Sequence, residues 1–258
     1  MNAPWARFAL ATVAGLVIAV DEARSQVDFR NLDTERPTRV TDAYPVERYA
    51  FEVSFPYGLA LGEGPARHVL GPHLEYGIGR NVMVGIGADL RVGGPRSERS
   101  HYGASVFWNL RRETEALPAM SLAVDATFVG FEQAAVEATG LVTRSIGRSR
   151  LHGNAGLRFV DTGDSTTPLA PLWWAGVAWD HTVLRSSTLL VAELVVERPG
   201  SGLDTEWAVG AGLRRQVTPT LVAHGGLTQS LRGAGTELTF GLSHAFAIAG
   251  LMRRGGAR

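Results

Sequence analysis

From residue 48 to residue 246, apolar and polar positions alternate with a period of two. The clearest stretch is residues 81–92. Val82, Val84, Ile86, Ala88, Leu90 and Val92 share one face, and Asn81, Met83, Gly85, Gly87, Asp89 and Arg91 share the other. Successive side chains of a strand point to opposite sides, so the pattern predicts strands that are apolar on one face and small or charged on the other. Tyr49, Phe51, Val53 and Phe55 oppose Glu52 in the same way, and Leu238, Phe240 and Leu242 oppose Glu237 and Thr239. Residues 137–148 break the rule, because Leu141 and Val142 are adjacent and Arg144 fits neither face.

The chain divides into about twelve such segments of roughly ten to twelve residues, against five or six for an ordinary globular strand. Connections alternate in kind. Gly79-Arg80, Gly147-Arg148-Ser149 and Thr218-Pro219 are tight, whereas residues 56–66, 93–100, 130–136 and 162–168 are longer and richer in Gly, Pro or charge. Short turns alternating with long loops, on strands long enough to cross about 25 Å of hydrocarbon at a tilt, predict an all-β, antiparallel, up-and-down transmembrane barrel. An even strand count puts both barrel ends on the periplasmic side. A soluble β-sandwich also has one apolar face per strand. The Gly-rich, mixed-charge opposite face and the aromatics near segment ends (Tyr49, Tyr76, Trp108, Trp179, Phe246) favour the membrane.

The ends of the chain add an address. Arg7 precedes an uncharged apolar run over residues 8–20, closed by Asp21 and Glu22. That run is too short for a spanning helix, which needs about 20 residues. It fits a secretory signal, residues 1–25, with cleavage after Ala23-Arg24-Ser25; an uncleaved anchor is the alternative. Residues 26–46 are polar without a clear period and are expected on the periplasmic side, either hanging free or plugging the barrel. Residues 47–248 form the barrel and 249–258 a C-terminal tail. The expected location is the bacterial outer membrane.

Composition narrows the function. Hydrophobic residues at 45% and charged residues at 19% exclude a disordered chain and a bundle of membrane helices. Net charge is zero, which gives no sign of a nucleic-acid partner. The absence of Cys excludes disulfides, thiolate metal sites and a Cys nucleophile. No pair of His has metal-ligand spacing within a strand, and no cofactor fingerprint occurs in a strand-to-helix context. None of the seven His is followed two residues later by Ser, the spacing that lets a strand's His activate a hydroxyl. Asp180-His181 and Ser243-His244 are adjacent and so face opposite ways. A triad assembled across strands remains the route to an enzyme; the expectation is no enzyme.

Arginine on the lipid side at the midplane costs about 2–4 kcal/mol. The charged and inward-phased residues are therefore expected to line the lumen: Glu52, Glu75, Asp89, Arg91, Phe107, Arg111, Asp125, Arg158, Trp174, Glu193, Glu197, Glu206, Arg214, His224 and Glu237. These charges would form a structural ladder or set selectivity. Phe107, Trp174, Val191 and Val195 would make the lumen partly apolar, suited to an aromatic or fatty solute or to internal packing. Gly85, Gly87, Gly176, Gly210 and Gly212 on that face would leave room for large side chains opposite or mark points where the wall curves.

Thr34-Glu35-Arg36-Pro37 followed by Glu52, and later Leu74-Glu-Tyr-Gly-Ile-Gly79, resemble the outer-membrane family named after the MetA pathway of phenol degradation. There a Thr-Asp/Glu-Arg-Pro element precedes a first strand carrying Glu, and Tyr-Gly closes the second strand. The resemblance implies a barrel over most of the mature chain and, from genetic context, a transport role. Thr239-Phe-Gly241-Leu-Ser-His244-Ala-Phe246 resembles the signal read by the barrel-assembly machinery, or is simply an amphipathic last strand. Outer-membrane lipid and that machinery are thus the expected partners. The function expected is a channel or transporter for small, hydrophobic or aromatic solutes. A closed structural barrel and a lipid-acting barrel enzyme are the alternatives.

Overall fold

The computed structural model describes residues 37–62, 65–92, 100–129, 132–160, 171–183, 187–198, 204–232 and 235–248. The expected signal segment and C-terminal tail lie outside them.

Among the described residues, all thirteen regular elements are strands: β1 (Ala50–Leu61), β2 (Arg67–Leu70), β3 (His73–Gly77), β4 (Val82–Val92), β5 (His101–Arg111), β6 (Ala119–Val129), β7 (Glu132–Ile146), β8 (Ser149–Val160), β9 (Leu172–Val183), β10 (Thr188–Arg198), β11 (Glu206–Thr218), β12 (Leu221–Ser230) and β13 (Thr236–Ala247). Each pairs antiparallel with its neighbours, and β1 closes the ring on β13 from Ala50↔Ala247 to Leu61↔Thr236. β2 and β3 are two parts of one stave. Both lie between β1 and β4, and the register runs on from Tyr57↔Leu70 to Ser54↔His73. Proline has no N–H for a ladder bond, and Gly71-Pro72 interrupts the assigned strand without shifting it. The result is a closed twelve-stranded antiparallel barrel. Closure removes every open edge, as hydrocarbon requires.

The alternation read from the sequence sets the facing. Ile86, Val106, Trp108, Val177, Leu213 and Phe240 are among the most exposed large apolar residues and all point outward. Trp108 and Trp179 ring the outside near the short-turn end, where Phe51 stacks on Tyr76 (4.4 Å) and on Phe246 (5.3 Å). Tyr102, Phe159, Trp173 and Trp207 stand at the long-loop end. Two aromatic girdles around an apolar band match the two interfaces of a bilayer. Tyr49 is not part of the first strand. It turns the chain into β1 with φ of 67° and donates its N–H to the Gly77 carbonyl at 2.7 Å.

The ambiguous segment is β7. Leu141 is buried inside and Val142 is exposed outside, so their adjacency is ordinary alternation. Arg144 follows the outward phase at the rim and reaches back to the Thr114, Glu115 and Leu117 carbonyls of the β5–β6 connection. Gly147 takes φ of 62° in the two-residue β7–β8 turn, a conformation that favours glycine.

Residues 37–46 lie inside the barrel. Of the two arrangements the sequence left open, this part of the leading segment takes the plugged one. Val40 and Ala43 are completely buried. Val40 packs with Trp174, Ala178, Leu189, Val191 and Val195. Ala43 and Val46 pack with Met83, Phe107 and Leu141. The inward apolar residues therefore serve internal packing.

Candidate functional site: the lumen and its internal segment

A non-regular segment inside a barrel must find partners for its backbone groups. Wall side chains supply them. Val40 N–H donates to Glu193 Oε2 (2.9 Å), Thr41 N–H to Asn154 Oδ1 (3.1 Å) and Ala43 N–H to Thr143 Oγ1 (2.9 Å). The Ala43 carbonyl accepts from Asn109 Nδ2 and Ser121 Oγ, both at 2.8 Å. Thr239 Oγ1 donates to the Pro37 carbonyl at 3.4 Å. These partners come from strands all round the barrel, so the segment follows the inner wall from β13 towards β4. Missing side chains make the room. A Cβ on Gly212 would lie 2.7 Å from Pro37 Cβ, and one on Gly226 would lie 2.6 Å from the Pro37 carbonyl oxygen.

One buried ionic cluster grips the segment. Asp42 Oδ2 is 3.2 Å from Arg150 Nη1, and Arg150 Nη2 is 2.6 Å from Asp180 Oδ2. His152 Nε2 lies 2.9 Å from the same Asp180 oxygen, and His152 Nδ1 is 3.0 Å from Thr143 Oγ1. Thr143 Oγ1 thus accepts from Ala43 N–H and also meets His152, whose other ring nitrogen meets Asp180. The order Thr, His, Asp is that of a hydroxyl-activating relay assembled across strands. Here it works as a clamp. Thr143 is fully buried beneath the segment, its oxygen is occupied, and Asp180 is shared with Arg150.

A second chain of contacts crosses the lumen. Arg39 Nη1 pairs with Glu197 Oε2 at 2.5 Å, and its guanidinium lies 4.5 Å from the centre of the Trp174 ring. Trp174 Nε1 donates to Glu137 Oε1 at 2.6 Å, and Arg158 stands 3.9 Å from Glu137 Oε2.

At the short-turn rim, Tyr44 donates its hydroxyl to Glu113 Oε2 (2.9 Å). Ser145 adds its N–H (2.6 Å) and its hydroxyl (2.8 Å) to the same carboxylate. Burial pushes the Tyr44 phenol up to about 12, helped by the neighbouring Glu113 charge. Burial opposes the Glu113 charge, but the Ser145 and Tyr44 donors and nearby Arg144 outweigh it and hold the carboxyl below its ordinary range.

Most residues expected in the lumen stand there. Glu52, Phe107, Trp174, Glu193, Arg214 and His224 are buried on the inner face, with Arg214 Nη2 3.6 Å from Glu52 Oε1. Glu75, Asp89, Arg91, Asp125 and Arg158 line a cavity of about 380 Å³ together with Glu52, Phe107, Trp174 and Arg39. Glu197, Glu206 and Glu237 line a smaller one of about 160 Å³ against β10–β13. Arg111 is the correction. A bulge between Asn109 and Arg111 sets Arg111 opposite outward-facing Met120, and its guanidinium reaches Pro118 O and Met120 Sδ at the rim. In the last strand, Thr239 and Gly241 face inward, whereas His244 and Phe246 face outward and stack at 6.1 Å.

The fold is that of twelve-stranded outer-membrane porins. The NanC porin superposes with a TM-score of 0.59 at 6% identity, covering 76% of this chain and 100% of that one. The KdgM porin in complex with disordered oligogalacturonate gives 0.58 at 8% identity, over 76% and 99%. The COG4313 outer membrane channel from Pseudomonas putida F1 gives 0.55 at 11% identity, over 80% and 98%. No protein-family model matches the chain, and no curated protein matches it by sequence.

Sequence reasoning missed the residues that hold the segment: Arg39, Asp42, Thr143, Arg150 and Asn154. Period two assigns a wall residue to the inner face. It says nothing about what an aperiodic segment brings to meet it.

Proposed function

We propose that this chain is an outer-membrane channel whose lumen is narrowed from within by residues 37–46, and that it passes small polar solutes. The observation that carries the reading is the cavity of about 380 Å³, lined by Glu75, Asp89, Arg91, Asp125 and Arg158, inside a barrel with an apolar outer face. A lumen built only to be packed would be closed by side chains. The polar lining favours hydrophilic solutes. Phe107 and Trp174 line the same cavity, but Val40, Ala43 and Val46 pack against them, which leaves less apolar surface for an aromatic or fatty solute.

Membership of the MetA-pathway family fits this reading. Pro37 of the Thr-Glu-Arg-Pro element seats the segment against Gly212 and Gly226, and Glu52 of the first strand pairs with Arg214 inside the barrel. Export through residues 1–25 belongs to the same proposal. Detergent-purified protein should shift mobility on unheated gels, fractionate with outer membranes and give discrete current steps in planar bilayers. Recovery from the soluble periplasm, or folded protein without current, would overturn the reading.

A further inference from the structure

Two acidic cavities meet at one arginine of the internal segment. Six carboxylates and three arginines line the larger cavity, two of the carboxylates, Asp42 and Glu52, being also paired with Arg150 and Arg214 behind the lining, and three carboxylates and one arginine line the smaller. A narrow passage whose low-dielectric wall carries surplus negative charge concentrates cations and excludes anions. Arg39 borders the larger cavity and pairs with Glu197 of the smaller, so it stands where the two approach each other. Its guanidinium is pinned between the Trp174 face and the Glu197 carboxylate, yet its side chain keeps 31% of its surface open. The other arginines of these linings, Arg67, Arg91 and Arg158, come from the strands themselves.

We infer that the channel prefers small cations, and that Arg39, carried by the internal segment and not by the wall, is the residue that limits this preference. This inference rests on the channel reading above. Cations are drawn into both cavities by the carboxylate surplus. At the junction they meet one fixed positive charge, which weakens the preference and holds the passage narrow. Removing that charge leaves Glu197 and Glu206, directly opposed on β10 and β11, without the Arg39 guanidinium between the cavities. Like charges facing across a ladder draw a mobile counter-ion more strongly once a fixed one is removed, even with Arg67 in the same lining.

The test is the reversal potential of the full chain in planar bilayers under a KCl gradient. Wild type should favour potassium over chloride. Arg39→Gln should raise the cation-to-anion permeability ratio by about threefold, the order expected when one unit charge is removed beside a water-filled path. Arg39→Lys keeps the charge while losing the planar stack on Trp174, and should hold the wild-type ratio. Arg48→Gln, exposed outside the lumen, should change nothing. A chloride-selective wild type, or equal shifts in the Gln and Lys variants, overturns the assignment while leaving the channel standing. Absence of current in wild type and all variants instead defeats the channel reading, and this inference with it.

Discussion

Asp42 of the internal segment and Arg150 of β8 meet at 3.2 Å with side chains only 1% and 3% exposed. Two charges so deeply buried are costly to desolvate, and the cost is met only because Asp180 and the surrounding hydrogen bonds complete the cluster. Deleting one partner strands the others. Arg150→Met leaves Asp42 and Asp180 without their counter-charge and should cost about 3–5 kcal/mol. The expected readout is a lower temperature for loss of the compact form on unheated gels. Asp42→Asn should cost less and act mainly on docking of the segment.

Docking has a chemical reporter. Arg39 is part-buried and tied to Glu197, which shields the bond after it from trypsin. Gly212→Val and Gly226→Val would push side chains into Pro37, where even a Cβ comes within 2.7 Å and 2.6 Å. Both variants should expose cleavage after Arg39 while the barrel stays compact. Unchanged protection would mean that the segment is not seated there.

Facing can be tested on one strand with neighbouring residues. Val106 is 49% exposed on the outside of β5, and Ser105 lines the larger cavity. Val106→Arg should impair assembly, at a cost of about 2–4 kcal/mol if it lies near the midplane. Ser105→Arg should assemble and reduce conductance. Equal assembly defects would contradict the facing.

The rim contact between Tyr44 and Glu113 is pH-dependent in both directions. Glu113 is held below its ordinary value, so its contribution is present above the unfolded value of about 4.3 and is lost as pH falls through the lower folded value. Tyr44 is raised, so its contribution is present below the unfolded value of about 10 and lost as pH rises through about 12. Protection of the bond after Arg39 from pulse proteolysis should therefore be flat near neutrality and fall only at these extremes. Release centred near neutral pH would contradict the assignment.

Facing was legible because alternation leaves only two choices and the cost of lipid-facing charge selects one, as Glu52, Asp125 and Arg214 illustrate. Arg111 escaped because one extra residue in β5 inverts the phase, and a bulge leaves no mark in composition. Arg144 resisted assignment because it follows the outward phase but bonds around the rim. The clamp of Asp42, Arg150, His152 and Thr143 was illegible because its members are separated along the chain and only closure of the barrel brings them together. Glycines on the inner face are expected to give room to large side chains or to mark points where the wall curves. Gly210 does give way to Glu193 and Gly156 to Trp174, but Gly212 and Gly226 make room for Pro37.

The central claim is a channel narrowed by a segment held through Asp42. Its most direct test is single-channel conductance of the wild type beside Asp42→Ala, with folding of each checked by gel mobility. Small steps in the wild type and larger steps in Asp42→Ala are the predicted result. Equal conductance in the two, or no current in either, would contradict it.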